Sequence, residues 1–313
     1  YVWAAEKTLM GGITTARDVG GWNHLEFAVR AAITAGIAKG PRLFLAGKLL
    51  SITTGAVGYY PGMYDVANGP DEVRAAARRQ IAAGADLVKV MATGAILSPE
   101  NEDARAIQFT KPELEAAVEI ARDNFKHVAA HAHAVQGIRH AVESRCHPIG
   151  HGTYADRAVL QSMAKKGTFL VPTNCPFTSV LNDAKIRSEM PAHLSERLTA
   201  IRETHRKAMA AAYKLGVPIA MGTDAGTPAN HHGMNAQECV LMAQEIGMKP
   251  TDVIHSSTLN AARLIRQDAN LGSRDEGKYA DLIACRDNPL KDVSALTRLA
   301  LVMKGGEIVR NEI

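Results

Sequence analysis

The sequence predicts a (β/α)8 barrel lacking its first strand, followed by part of a small β-sandwich. Three observations predict it. Short β-rich runs alternate with longer helical stretches as far as about residue 226, several of those runs end in imidazole or acid, and the texture changes from Leu271. The domain organisation expected is therefore a barrel over 1–268, holding strands two to eight, and the C-terminal part of a β-sandwich over 269–313.

The β-rich runs are seven: 13–19, 42–47, 87–91, 128–133, 148–152, 168–173 and 217–224. Amphipathic stretches such as 71–83 and 111–124 follow them, and residues 250–265 read as a closing helix. Thr110 can cap the helix starting at Lys111, with Pro112 in its first turn. Seven parallel strands could also form an open doubly wound sheet. That architecture carries a glycine-rich phosphate loop after its first strand, and Asp18-Val-Gly-Gly21 is not GxGxxG. A closed barrel one strand short is the better reading, with the missing strand expected before Tyr1. Residues 50–70, rich in Gly, Tyr and Thr, read as a loop that can cover a substrate. In the tail, runs at 281–285, 299–303 and 307–309 separated by turns form the small β unit.

With 313 residues the chain can bury a large core without staples. Its four cysteines, Cys146, Cys175, Cys239 and Cys285, are widely spaced and read as buried thiols. A net charge of +4 with dispersed basic residues argues against a nucleic-acid partner. No apolar run approaches the roughly 20 residues that span a bilayer, so no membrane is expected. Because the chain opens at Tyr1 without Met, the compartment is left unassigned, with the cytoplasm slightly favoured.

In such a barrel the active site is built at the C-terminal ends of the strands. Lys89 lies within Leu87-Val-Lys-Val-Met91, where a charge among branched apolar residues is costly unless modified or paired. His131 and His133 share one face because side chains alternate with period two. His151 ends one run and Asp224 another. Each alone reads as a hydrogen-bonded structural residue or a helix cap. Together they converge on one axial pocket, and histidine with carboxylate suits zinc or a similar divalent ion.

These residues sit in motifs that resemble the amidohydrolase superfamily, in particular its imidazolonepropionase-like and Xaa-Pro or Xaa-Arg dipeptidase and carboxypeptidase branch. The motifs are Gly12-Ile-Thr-Thr-Ala-Arg-Asp-Val-Gly-Gly21, Val88-Lys-Val-Met-Ala-Thr-Gly94, His131-Ala-His133, Gly150-His-Gly-Thr153 and Gly222-Thr-Asp-Ala-Gly226. The tail motifs Thr258-Leu-Asn-Ala-Ala-Arg-Leu264 and Glu276-Gly-Lys-Tyr-Ala-Asp-Leu-Ile283 extend the likeness over nearly the whole chain.

The resemblance implies two divalent ions, zinc by preference, bridged by a carbamylated Lys89. It places His131 and His151 on the second ion and Asp224 on the first, with Asp224 also relaying a proton from a shared hydroxide to the leaving nitrogen. The remaining ligands of the first ion would be a His-x-His pair on strand one, so the chain as it stands is expected to hold that ion poorly and to be inactive. Deaminases of the superfamily carry a glutamate three residues after the strand-five ligand. Ala134 stands there, which favours a binuclear hydrolase. His133 is a candidate for the substrate's carboxylate or for supporting His131. Where relatives read Thr-Gly-Gly-His-Gly, this chain reads Thr54-Gly-Ala-Val-Gly58, so Tyr59, Tyr60 and His232 are further candidate substrate contacts in a roomier, more apolar pocket.

The function expected is hydrolysis of a peptide-like or N-acyl amino-acid amide, with a small-molecule or dipeptide-like substrate and homo-oligomerisation plausible from the resemblance. Two alternatives stand beside it. One is a lactone or cyclic-amide hydrolase on the same scaffold, and the other is a truncated, inactive barrel that only binds or oligomerises.

Overall fold

The computed structural model describes residues 1–96 and 102–313. After a helix at Val2–Met10, eight parallel strands follow: β1 (Thr15–Asp18), β2 (Arg42–Leu45), β3 (Leu49–Ser51), β4 (Tyr64–Val66), β5 (Val88–Met91), β6 (Val128–Ala132), β7 (Ile149–His151) and β8 (Leu170–Val171). β1 pairs with β2, and the other six form one sheet in the order β4-β3-β5-β6-β7-β8. The two sheets meet where Asp86, just before β5, donates its N–H to Leu45 O at 2.7 Å and accepts the Leu45 N–H on its carboxylate at 2.8 Å.

Six of the seven expected runs form strands, and one does not. Residues 217–224 touch the sheet only through a parallel bridge between Leu170 and Ile219. The backbone bonds there, Leu170 N–H to Pro218 O and Ala220 N–H to Leu170 O, end after one repeat because the next donor along the ladder would be residue 172, a proline with no N–H. Beyond that segment the barrel wall stops, and the edge of β1 away from β2 has no strand partner among the described residues.

The expected loop at 50–70 also needs correction. It holds β4 and the end of β3, together with a short helix, Gly55–Tyr59. Strands of three residues are too short to show a period, and their apolar residues, Leu49 and Leu50, run together. The closing helix at 250–265 is two helices, Pro250–Ser257 and Leu259–Leu264, because Thr258 leaves helical geometry at φ −123°, ψ −91°.

Parallel strands buried on both faces need apolar cover. The helices Pro70–Ala82, Lys111–Asp123, Val135–Glu143, Arg157–Lys166 and Ala192–Lys214 supply it. Leu114, Ile138, Leu160, Met163 and Met209 are fully buried in the core between these helices and the larger sheet. The second of these helices starts as expected: Thr110 and Glu113 form a reciprocal capping box. The tail forms an antiparallel sheet of β9 (Leu282–Cys285), β10 (Leu299–Lys304) and β11 (Glu307–Asn311). It packs Leu299 and Val302 against Leu9 of the first helix, and Asp281 pairs with Arg42 of β2. All four cysteines are free thiols, three of them buried. No described helix is long and apolar enough to cross a membrane.

Candidate metal centre and active site

Alternation along the strands aims every other side chain inward. Lys89 on β5 and His131 on β6 therefore face the barrel interior, and His133 follows two residues on. His151 ends β7. The ligand-competent nitrogens of His131, His133 and His151 lie within 4.8 Å of one another. The His131 ring packs edge-on against both neighbours at 4.6 and 4.5 Å, while His133 and His151 stack at 4.8 Å. Gly150 leaves space beside Lys89, whose Nζ would stand 4.0 Å from a β-carbon at that position.

Hydrogen bonds fix which nitrogen of each ring is free. His131 Nε2 lies 3.1 Å from Gly94 O, and a carbonyl only accepts, so Nε2 carries the proton and Nδ1 keeps its lone pair. The Thr173 hydroxyl spends its proton on Pro172 O at 2.6 Å and so accepts from His151 Nδ1 at 2.8 Å, which leaves His151 Nε2 free. Such outer partners orient metal-binding imidazoles. Thr153 Oγ1 lies between His133 Nδ1 at 2.8 Å and His205 Nδ1 at 3.2 Å, tying the cluster to the helix Ala192–Lys214.

Burial pushes all three cluster histidines well below the usual imidazole range, helped by their mutual repulsion and by Lys89. They are neutral at pH 7, the state that donates to a metal. Lys89 is lowered to about 8 by burial, against the pull of Asp224 and with a further push from Arg17. Burial raises Asp224, Lys89 opposes the rise and Asp18 adds to it. Asp224 itself is exposed to the open cavity, and the surrounding barrel wall is what raises its proton affinity.

Three residues at the ends of the barrel segments adopt left-handed backbone geometry although none is glycine: His151 at φ 70°, Thr173 at 55° and Asp224 at 53°. Such strain persists only where surroundings impose it. At Asp224 the clamp is visible: Asn230 Nδ2 donates to the carbonyls of Thr223 and Asp224, and Thr227 Oγ1 donates to Asp224 O.

All eight residues expected at the site line one cavity of about 1530 Å³: Lys89, His131, His133, His151, Asp224, Tyr59, Tyr60 and His232. Tyr59 and Tyr60 pack edge to face at 4.8 Å on the short helix above the strand ends. Burial, then Tyr59 and Asp224, raises Tyr60, which places its phenol within electrostatic reach of the acid. Glu102 holds this helix to the neighbouring loop, accepting from Ala56 N, Ala95 N and Gln108 Nε2. His232 lies beside Thr8 and is drawn electrostatically towards Asp18.

The sequence reading missed Asp18, Thr153, Thr173 and His205. Asp18 ends β1 as the other candidates end theirs, and scanning that strand end by the same rule would have found it. His205 lies in mid-helix, 52 residues from Thr153, and carries no local signal.

Comparison with known proteins decides what this arrangement belongs to. The model of the amidohydrolase family matches residues 3–309, so it runs through strands, cavity and tail alike. This chain belongs to the amidohydrolase family. The ochratoxinase of Aspergillus niger is 32% identical over 332 residues, covering 97% of this chain and 67% of that protein. Its crystal structure superposes with a TM-score of 0.86 over 99% of this amidohydrolase and 75% of that chain. A Xaa-Pro dipeptidase crystallised with methionine in its active site is 36% identical, with a TM-score of 0.90 over 99% of this chain and 78% of its own. The two parallel sheets and their helices are accordingly those of an amidohydrolase TIM barrel, and the protein is a hydrolase.

Proposed function

We propose that this amidohydrolase uses divalent metal, zinc by preference, to hydrolyse the amide bond of a peptide-like or N-acyl amino-acid substrate. The observation that carries the reading is the convergence of His131 Nδ1 and His151 Nε2, lone pairs free and rings neutral, in one cavity with a buried lysine and the Asp224 carboxylate. Two divalent ions would find His131 and His151 for one and Asp224 for the other, and a carbamylated Lys89 would supply an anionic oxygen ligand. Carbamylation would need an unprotonated amine, and burial lowers Lys89 to about 8, which gives it a neutral fraction near pH 7 whose lone pair could add to carbon dioxide with loss of a proton. Metal bound there would polarise the scissile carbonyl and lower the pKa of water.

The chain's own residues do the rest. Asp224, its proton affinity raised by burial, accepts the proton of the attacking water and returns it to the departing nitrogen. The strained turn fixed by Asn230 holds that carboxylate in place. Tyr59 and Tyr60 offer an aromatic wall for the acyl or amino-acid side chain, and His232 lines the same cavity. The likeness to proteins named ochratoxinase and Xaa-Pro dipeptidase supports an amide over an ester.

His133 is assigned to the substrate's carboxylate, although it lies within the same donor set. His133→Ala is expected to keep the metal content and raise KM at least about tenfold, the worth of a charge-assisted hydrogen bond. Loss of metal from that variant would make His133 a ligand instead. A panel of N-acyl amino acids and dipeptides set against lactones tests the bond cleaved. Faster turnover of the amides is expected, and turnover of lactones alone would overturn the assignment.

A further inference from the structure

Thr153, fully buried two residues beyond β7, offers one hydroxyl to two imidazoles: His133 Nδ1 stands 2.8 Å from its Oγ1 and His205 Nδ1 stands 3.2 Å away. His205 occupies the face of the helix Ala192–Lys214 that buries Ile201, Ala208, Met209 and Ala212, and its ring packs against Phe177 at 5.1 Å. An apolar residue would fill that position at less cost, because a buried imidazole needs partners for both nitrogens. His205 lacks one: its Nε2 is buried with no hydrogen-bond partner. The Pro172 carbonyl acts on the ring, yet it makes no hydrogen bond with Nε2 and already takes the Thr173 hydroxyl proton at 2.6 Å. Burial lowers His205 to about 4, so the ring is neutral and carries a single nitrogen-bound proton.

A hydroxyl has a single proton to give, so it can donate to only one of two facing nitrogens. With both rings neutral, one Nδ1 must donate to Thr153 and the other must accept from it. Two observations set the direction. A buried N–H without an acceptor is rarer and costlier than a buried lone pair without a donor, which places the proton of His205 on Nδ1. The distances agree, because 3.2 Å suits an N–H donating to oxygen and 2.8 Å suits the shorter bond from a hydroxyl. We infer that His205 is a positioning residue which, through Thr153, holds His133 with its proton on Nε2, as a hydrogen-bond donor to a carboxylate in the cavity. With Nδ1 taken up by Thr153, Nε2 is the nitrogen of His133 left for the cavity that this residue lines. The His133 backbone is held separately, its N–H by Thr93 Oγ1 and its carbonyl by Tyr154 N, both at 2.9 Å. The opposite tautomer would turn a lone pair towards the carboxylate and repel it. The inference rests on the proposed assignment of His133 to the substrate's carboxylate, whereas the tautomers themselves can be read without turnover.

Nitrogen-15 NMR of the histidine-labelled protein reads those tautomers, with His133→Gln and His205→Gln each removing one set of ring signals for assignment. The expected result is a proton on Nδ1 of His205 and on Nε2 of His133. Protons on the reverse pair of nitrogens, or the same tautomer in both rings, would overturn the inference. Steady-state kinetics on an N-acyl amino acid with a free carboxylate reads the consequence, in a form that carries the expected strand-one His-x-His pair. His205→Leu is expected to raise KM about three- to tenfold at unchanged kcat, because the donor tautomer is then only partly populated. His205→Gln, whose amide can still donate to Thr153, should return KM close to the parent value. Thr153→Val should raise KM as His205→Leu does, and combining the two should add nothing, because the route is already cut. A fall in kcat with KM preserved, or additive effects in the double variant, would overturn the route through Thr153. The parent's tautomers decide the matter should the leucine variant not fold. Tautomers as expected with KM unmoved would support the coupling and overturn the carboxylate assignment of His133.

Discussion

Lys89→Ala is expected to lower kcat/KM for amide hydrolysis by at least about a thousandfold, because it removes the one side chain that can bridge the two halves of the proposed centre. His131 and His151 would remain on one side and Asp224 on the other, with no shared anionic ligand. The fold should tolerate the change. Lys89 is buried among Val88, Val90 and the barrel interior, so removing its amine relieves a desolvation cost while losing some packing. Steady-state kinetics together with an unfolding curve separates the two effects: activity should collapse while the midpoint moves little. A variant that unfolds in parallel with its loss of activity would make Lys89 a structural residue.

Asp224→Asn is expected to lower kcat by about a hundred- to ten-thousandfold with little change in KM. Asparagine keeps the volume and tolerates the left-handed backbone at φ 53°. The bonds from Asn230 and Thr227 go to the residue 224 carbonyl, which the substitution leaves unchanged. What is lost is the ability to accept a proton, the anionic oxygen offered to one ion and the charge that faces Lys89. A rise in KM with kcat preserved would instead make Asp224 a substrate-binding residue.

Much of this site was legible in the sequence because its signals are local. Period-two alternation turns Lys89, His131 and His133 inward whatever the rest of the fold does, and the small residues around His151 and Asp224 mark strand ends where backbone and side chain crowd together. The alternation of strand and helix gave the parallel architecture in the same way. What was hidden depends on contacts between distant segments. Residues 217–224 have the composition of a strand, but their partner along one edge stops at Ile219, a fact that no local pattern records. β3 and β4 are three residues long, and the pairing of β3 with β5 joins Leu50 to Val90 across 40 residues of chain, which no periodicity records. The tautomers of His131 and His151 are set by Gly94 and Thr173, 37 and 22 residues away.

The central claim is that His131, His151, Lys89 and Asp224 form a metal centre that performs hydrolysis. Elemental analysis of the purified protein beside its His151→Ala variant tests that most directly, with amide hydrolysis assayed on the same samples. For a form that carries the expected strand-one His-x-His pair, the account predicts about two divalent ions per chain in the parent and a loss of both metal and activity in the variant. A parent protein that hydrolyses amides without retaining metal, at a rate the variant matches, would contradict it.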